Sequence, residues 1–216
     1  MSIASLSRFT VPLASNQSSA TQGLLMPKMK YRFRVSFENF GVSGSTVELT
    51  KQVADAARPS VKFEDKTIEV YNSKIHYAGK PTWAPIAIKL RDDITNAVTK
   101  LVGEQNQKQF DFFEQASATS AGDYKFITRI EMLDGGNGAE AITVLETWEL
   151  YGCYLKEVNY NNVDYGESAP VTISMTIAFD NALQTPYQTS GVGTTIARVA
   201  GDVITGAGTN QVPAGA

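Results

Sequence analysis

The sequence predicts a mainly antiparallel β fold with a single substantial helix, a layered arrangement of the α+β class. Apolar and polar residues alternate along several short segments between residues 28 and 182, as they do in strands that bury one face. One segment, at about residues 92–116, instead repeats its apolar residues at helical spacing. Turn residues between the alternating segments favour a sheet built from neighbouring antiparallel strands around one core.

The alternation is clearest at the two ends of this region. From Lys28 to Glu38 the odd positions are apolar and most even positions are Lys or Arg, so one face is apolar and the other basic. Residues 171–179 repeat the pattern, with apolar side chains at the odd positions and Thr, Ser or Ala at the even ones. Asp134 and the glycines that follow it supply the positive-φ positions of a tight hairpin. Further strands are predicted at about residues 61–71, 83–91, 124–133, 140–151 and 153–159.

The helix is predicted over about residues 92–116. Asp92 or Asp93 can cap its start. Phe110 and Phe113 continue its apolar stripe. The residues at helical spacing that begin this stripe are Ile94, Val98, Leu101 and Val102.

Composition divides the chain into three parts. Residues 1–27 are rich in Ser, Ala, Thr and Gln without any period, which predicts an N-terminal arm. Residues 28–182 carry nearly all the aromatic side chains and form the β domain. Residues 183–216 are rich in Gly, Ala and Thr, and they contain too few large apolar groups to repay the entropy of ordering. We therefore expect a flexible C-terminal tail.

Overall composition narrows the classes of function. The 216 residues are 43% hydrophobic and 19% charged, which suffices for a sizeable core. The formal net charge of -3 provides no general basic field for nucleic acid or an anionic membrane. No apolar run approaches the roughly 18 residues of a membrane span, and the N-terminus lacks the pattern of a secretory signal.

Residues suited to catalysis are scarce. His76 is the only histidine and Cys153 the only cysteine, which excludes a two-histidine mechanism and a cysteine-rich zinc site. There is no nucleophile-elbow or phosphate-loop motif, and the glycine pair at Gly191 and Gly193 lacks the third glycine of a dinucleotide site. The sequence therefore predicts no catalytic, cofactor-binding or metal-binding residues and no enzymatic activity.

The basic strand face at the start of the β domain allows two interpretations. Its cations could contact nucleic acid, or they could meet acidic groups of a neighbouring subunit. The neighbouring aromatic residues point to the opposite face and offer no stacking platform beside the charges, so the subunit contact is favoured. The cations are Lys28, Lys30, Arg32 and Arg34.

Several local motifs follow one another in a definite order. Residues 57–61 lead into a long loop, and the element from Lys74 to Trp83 reads KIHYAGKPTW. An acidic helix start at Asp92, a turn rich in Trp, Gly and Tyr over residues 146–154, and a final alternating strand over residues 169–181 complete the series. In order and spacing, over roughly residues 30–182, the series resembles the tail tube proteins of contractile-tailed bacteriophages, the inner-tube family of contractile injection systems.

This resemblance implies an antiparallel β-sandwich or barrel-like subunit flanked by the helix. Hexameric rings would join their inner strands into a continuous β-barrel lumen and stack into a tube. The chain would then be a structural protein of the virion tail, assembled in the host cytoplasm, and a conduit for DNA ejection inside a contractile sheath. Expected partners are further copies of the chain and the sheath, baseplate and tail terminator proteins. The tape-measure protein and genomic DNA would pass through the lumen without sequence-specific binding. No membrane partner and no cofactor are expected.

The resemblance also implies a site. The loop from about Arg58 to Lys80 would carry the contacts between rings. Its charges of both signs are interleaved, as in a solvated or interfacial segment. The expected contact residues are Arg58, Pro59, Lys62, Glu64, Lys66, Glu69, Lys74, His76 and Lys80.

Other functions remain open at this point. A baseplate tube initiator, or the inner tube of a secretion or injection apparatus, would share the same architecture. A monomeric β-sandwich binding module, for example for carbohydrate, is an alternative of a different class. Such a module would need an aromatic platform on its surface, whereas we expect the aromatic residues to lie in the core and in subunit interfaces.

Overall fold

Antiparallel strands make up most of the fold, which confirms the predicted class. The computed structural model describes residues 5–6, 24–25, 27–42, 45–135 and 142–186. Its elements in chain order are β1 (Ser5–Leu6), β2 (Leu24–Leu25), β3 (Phe33–Glu38), α1 (Val47–Gln52), β4 (Val53–Ala56), β5 (Ser60–Val70), β6 (Ser73–Ala84), β7 (Ile86–Arg91), α2 (Ala97–Gln109), β8 (Phe110–Asp111), β9 (Ala116–Ser117), α3 (Ala121–Tyr124), β10 (Phe126–Leu133), β11 (Val144–Asn159), β12 (Thr172–Ala178) and β13 (Asn181–Pro186).

Seven strands form one connected antiparallel assembly around β11. The order is β3-β10-β11-β12-β7-β4, and β13 pairs with β11 as well. The first part of β11 lies between β10 and β13, whereas its second part pairs with β12. Three pairs stand apart from this assembly among the described residues: the long pair of β5 with β6, and the two-residue pairs of β1 with β2 and β8 with β9.

Gly152 allows β11 to serve two sets of neighbours. The sequence predicts two strands, at about residues 140–151 and 153–159, but the structure shows one continuous strand. Gly152 has a φ of +68°, and the register with β10 shifts beside it, which marks a β-bulge. On the paired side, the N–H of Asp180 donates to the carbonyl of Tyr151 (3.0 Å) where β12 gives way to β13. The bulge in β11 therefore lies opposite the point where its partner changes from β12 to β13.

The core lies between the inner faces of these strands and the helices. Burial alternates residue by residue along β7, β10 and β12, as the sequence pattern requires. The second layer is provided by α1 and α2, which turn apolar residues into the same cluster. The largest contributions come from Ile86, Ile88, Leu90, Phe126, Ile130, Leu150, Ile173, Met175 and Ile177 on strands and Leu49, Val98, Leu101 and Val102 on helices.

The helix is shorter than the predicted range of about 92–116. It begins at Ala97 because Asn96 has a φ of +56°, and the Asp93 carboxylate accepts the N–H of Val98 (3.1 Å) from the preceding turn. Asp93 thus supports the helix start, as predicted. Ile94, expected in the apolar stripe, is fully exposed.

The predicted C-terminal part of the helix is also wrong. Phe110 is extended and opens the short strand β8. The Asp111 carboxylate then accepts the N–H groups of Phe113 and Glu114, which forms a turn in place of another helical turn. Phe113 is 95% exposed, so it does not extend the buried stripe.

The ends of the chain test the predicted boundaries only in part. Most of the predicted arm (1–27) and nearly all of the predicted tail (183–216) lie outside the described residues, so both stay predictions. Strand β13 passes the expected limit of the β domain at residue 182 and continues to Pro186, because it keeps pairing with the first part of β11. Among the described residues, no helix is both long and apolar enough to cross a membrane.

Candidate interaction surface

The hairpin formed by β5 and β6 is exposed along its whole length. Every residue of β5 is exposed, and so is every residue of β6 apart from Gly79 and Trp83, which are half-buried. Within the described chain the two strands pair only with each other. An isolated two-stranded hairpin is marginally stable in water, so this geometry indicates a surface that packs against another molecule. The sequence predicts a strand at about residues 61–71 and, from the resemblance, an extended loop from about Arg58 to Lys80; the structure shows a hairpin of two paired strands there.

The base of the hairpin carries an apolar patch on one face. Residues directly opposite each other in an antiparallel pair share a face. Val61 pairs with Trp83, and Phe63 pairs with Pro81. We call these four residues the basal patch. Trp83 also packs against Phe179 of the core, with 5.7 Å between the ring centroids, so this patch joins the hairpin to the body.

The outer half of the hairpin carries a second apolar patch. Ile68 pairs with Ile75, and Tyr77 and Val70 lie beside them on the same face. These four side chains, the distal patch, are between 43% and 54% exposed. The patch lies at the end farther from the core, which places it within reach of a neighbouring molecule.

The two patches lie on opposite faces of the hairpin. The apolar positions of β5 change from odd numbers at the base to even numbers toward the tip. In β6 the same change is made by a β-bulge, where Gly79 and Lys80 together oppose Glu64. The hairpin is therefore apolar on one face near its root and on the other face near its tip.

Charged and polar side chains occupy most of the remaining positions, and several of them contact one another. Glu69 contacts Lys74 (2.6 Å), Asp65 contacts His76 (3.0 Å), and Glu64 contacts Lys66. All six side chains are largely exposed, so each pair contributes under about 1 kcal/mol. Lys62 and Lys80 make no ion pair with another described residue. The predicted contact residues thus fall on the hairpin or at its root, while their role in ring contacts stays a prediction.

A buried carboxylate, Glu146, lies at the root of the hairpin. Its side chain is 3% exposed, and it accepts hydrogen bonds from Arg58 (2.5 Å), Lys28 (2.6 Å), Trp148 (2.6 Å) and Gln184 (2.8 Å). Burial opposes ionisation, but the hydrogen bonds and the charge of Arg58 outweigh it and lower the pKa of Glu146 to about 2. The carboxylate is therefore ionised throughout the physiological range.

Little in the sequence indicates a role for Glu146. It lies on the same face of β11 as Trp148 and Leu150, at alternate positions, and this alternation is the one signal in the sequence of an inward-facing acid. Its basic partners are distant in the chain, at Lys28 and Arg58, so no local pattern connects them.

The basic face that opens the domain is neutralised largely within the chain. Arg34 contacts Glu131 (2.6 Å), Arg32 donates to the carbonyl of Asp134 (2.7 Å), and Lys28 contacts Glu146. These cations thus have partners within the chain, and the expectation that they also meet acids of a neighbouring subunit stays a prediction. Glu131 lies on β10, which pairs with β3 and sets Arg34 opposite it, whereas Glu146 lies on β11 and meets Lys28, which precedes β3.

The groups that could support chemistry are dispersed. Cys153 is fully buried, and burial raises the pKa of its thiol to about 11. His76 lies exposed on the hairpin beside Asp65. Among the described residues, no three His, Cys, Asp or Glu side chains gather in a way that could hold a metal ion.

Aromatic residues divide between the core and the surface. Phe37, Phe40 and Phe126 form a buried cluster with ring centroids 4.9 to 6.4 Å apart. Other large apolar side chains are exposed on the single chain beyond the hairpin. They include Tyr31, Ile94, Phe112, Phe113, Val163 and Tyr165.

Comparison with known proteins places the fold. No protein-family model and no curated protein matches the sequence. A chain in the structure of the anti-feeding prophage (AFP) baseplate, six-fold symmetrised, matches with a TM-score of 0.56 at 11% identity, covering 77% of this chain and 100% of that one. A chain of the AFP tube-terminating cap matches with a TM-score of 0.54 at 13% identity, covering 76% and 94%.

A third structure belongs to another assembly. A chain of the sheath/tube terminator of PVC, an extracellular contractile injection system, matches with a TM-score of 0.52 at 16% identity, covering 74% of this chain and 97% of that one. At such identities the likeness concerns the fold. This chain has the fold found in the baseplate, cap and terminator structures of these two assemblies, which confirms in fold the resemblance to the contractile injection system inner-tube family drawn from its sequence.

Proposed function

We propose that this chain is a structural subunit of the inner tube of a contractile tail, where hexameric rings stack into a conduit for DNA inside a sheath. The lumen would be the continuous β-barrel formed by strands of all six subunits. The proposed partners are other copies of the chain, the sheath, baseplate and tail terminator proteins, and the tape-measure protein and DNA that pass through the lumen. We also propose that the chain has no enzymatic activity.

The observation that carries the proposal is the exposed β5–β6 hairpin with apolar patches on opposite faces. Two exposed apolar surfaces on one projecting element are a liability for a monomer, since unpaired strands with apolar faces promote association. A subunit embedded between neighbours would cover the apolar surface that its own body leaves exposed. The basal patch faces the body of its own chain through Trp83, and the distal patch would contact an adjacent copy.

The fold supports the same assignment. The chain covers nearly the full length of its structural neighbours, and one of them comes from a six-fold symmetrised assembly. Closing strands into a ring removes exposed sheet edges, which stabilises the assembled state over the single subunit.

A pair of variants tests the proposal. Ile75→Asp places a charge in the distal patch, and Thr67→Asp places the same charge on the polar face of the same hairpin. Both positions are exposed, so both variants should fold. We expect Ile75→Asp to raise the critical concentration for polymerisation at least a hundredfold and Thr67→Asp to raise it only a few-fold, measured by sedimentation. Equal polymerisation of the two variants would refute the assignment of the distal patch.

A subunit at the end of a tube is a second candidate, because the structural neighbours come from a baseplate, a cap and a terminator. A tube initiator or cap would form single rings that do not stack by themselves. An inner tube of a secretion or injection apparatus would stack in the same way as a phage tube, and the cargo would distinguish them. A protein that stays monomeric and binds a panel of sugars would instead indicate the binding module.

A further inference from the structure

Glu146 is the only buried acidic or basic side chain among the described residues. Its two carboxylate oxygens are fully engaged. Oε1 accepts hydrogen bonds from Arg58, Trp148 and Gln184, and Oε2 accepts from Lys28. Each donor therefore shares one carboxylate with the other three, and a shift of one changes the geometry available to the rest.

Three of the four donors come from other parts of the chain than β11. Lys28 follows the predicted N-terminal arm (1–27). Arg58 immediately precedes the hairpin, two residues before β5 begins. Gln184 lies in β13, at the start of the predicted C-terminal tail (183–216). The carboxylate thus connects residues from the start of the β domain, from the root of the hairpin and from its last strand.

Stability alone does not account for this arrangement. A buried ion pair often contributes little net stability, because removing charges from water costs as much as their attraction returns. Here both cations remain about half exposed, at 47% for Lys28 and 54% for Arg58, which weakens the attraction further. What the arrangement does provide is a fixed point of convergence for the chain, since donors from four positions must reach one carboxylate.

Direction matters because the hairpin is long. Strand β5 has 11 residues, which corresponds to roughly 35 Å. A tilt of about 10° at the root would move the tip by roughly 6 Å, more than a packed interface tolerates. Besides Arg58, the root is held by the hydrogen bond from the N–H of Ala57 to the carbonyl of Ala87 (2.9 Å) and by the contact of Trp83 with Phe179.

We propose that Glu146 is a positioning residue that sets the angle at which the β5–β6 hairpin leaves the body and couples that angle to the chain segments at Lys28 and Gln184. The consequence for assembly rests on the proposed function. A subunit whose hairpin points in one direction is prepared for a neighbour, because less conformational freedom is lost when the contact forms.

The angle can be measured directly by pulsed EPR. Spin labels would be attached to cysteines at Asn72→Cys, at the hairpin tip, and Lys100→Cys, on α2, in the full-length unassembled chain with Cys153→Ala. We expect Glu146→Gln, which keeps the shape and removes the charge, to broaden the distance distribution at least twofold. The matched control is Glu149→Gln, which breaks a comparable ion pair on the outer face of β11, with Arg129 (2.7 Å), and should leave the distribution unchanged.

The outcomes are distinct. An unchanged distribution in Glu146→Gln would overturn the proposal, and so would equal broadening in Glu149→Gln, which would mean general loosening. If Glu146→Gln does not fold, Arg58→Gln removes only the contact to the hairpin, and it must broaden the distribution for the proposal to stand.

Assembly provides the second measurement. We expect Glu146→Gln to raise the critical concentration for polymerisation at least tenfold, and Glu149→Gln to leave it within twofold. An unaltered critical concentration in Glu146→Gln would contradict the link to assembly. If the wild-type chain does not polymerise at all, the proposed function fails, whereas the distance measurement still decides whether Glu146 positions the hairpin.

Discussion

Replacing Gly152 by alanine tests whether the bulge in β11 is a strained position that glycine alone relieves. The φ of +68° places this residue in the left-handed region, which costs a residue with a Cβ about 1–2 kcal/mol. An added Cβ would also lie 2.2 Å from Oδ2 and 2.7 Å from Cγ of Asp180. The Asp180 side chain must therefore move.

Moving Asp180 has a limited further cost. Its carboxylate contacts Lys125 (2.5 Å), and it is 61% exposed, so the ion pair contributes under about 1 kcal/mol. Together with the cost of placing an alanine at positive φ, we expect Gly152→Ala to lower the free energy of unfolding by about 2 kcal/mol. Urea unfolding of the full-length chain under non-assembling conditions, followed by tryptophan fluorescence, measures this change.

Two companion variants isolate the causes. Gly103→Ala, in the interior of α2, adds a Cβ with no atom within 4 Å and should stabilise the protein by about 0.5–1 kcal/mol. Gly152→Ala combined with Asp180→Ala removes the steric conflict and should retain only the backbone cost. If Gly152→Ala leaves stability unchanged while Gly103→Ala raises it, the reasoning about the bulge is refuted.

Three further predictions concern buried polar groups. Because the pKa of Glu146 is lowered from 4.5 to about 2, its ionisation stabilises the fold above pH 4.5 by about 1–2 kcal/mol after allowance for solvent screening, and this stabilisation is lost as the pH falls toward 2. The difference in unfolding free energy between wild type and Glu146→Gln should therefore narrow over that pH range. A difference that does not depend on pH would contradict this prediction. Gln105→Leu should lower the free energy of unfolding in urea by roughly 2 kcal/mol, because Gln105 accepts a hydrogen bond from the buried N–H of Gly41 (2.9 Å) and donates one to the carbonyl of Tyr124 (2.7 Å). An unaltered unfolding midpoint would show that these two backbone groups find other partners. Cys153 should react with a thiol reagent at pH 8 at least about a hundredfold more slowly in the folded chain than after unfolding. Burial in the fold raises the pKa of its thiol from 9.0 to about 11, which leaves less of the reactive thiolate. Equal rates in the two states would show that the thiol is accessible in the folded chain.

Alternation predicted the central strands well, because one face of each is buried in a single core. Strands β10 and β12 follow the sequence pattern residue by residue. The long strand β11 was divided in two, since Gly152 reads as a break in sequence whereas in the fold it forms a bulge within one strand. Pairing on both sides of the bulge keeps the strand continuous.

The helix shows the limit of periodicity. Ile94 and Phe113 stand at helical spacing, but the backbone at Asn96 and the turn around Asp111 end the helix before it reaches either. Such local hydrogen bonds compete with the helix, and spacing alone does not reveal them.

The candidate site was partly predictable. Its location between Arg58 and Lys80 followed from the resemblance, and the alternation of β5 was recognised. The second strand was missed because the bulge at Gly79 and Lys80 changes which face its apolar residues occupy. Glu146 could not be identified, because its partners come together only through tertiary contacts.

Electron microscopy of the purified full-length protein over a range of concentrations tests the central claim most directly. We predict six-fold rings that stack into tubes as the concentration rises. A protein that remains monomeric at every concentration would contradict the proposed function.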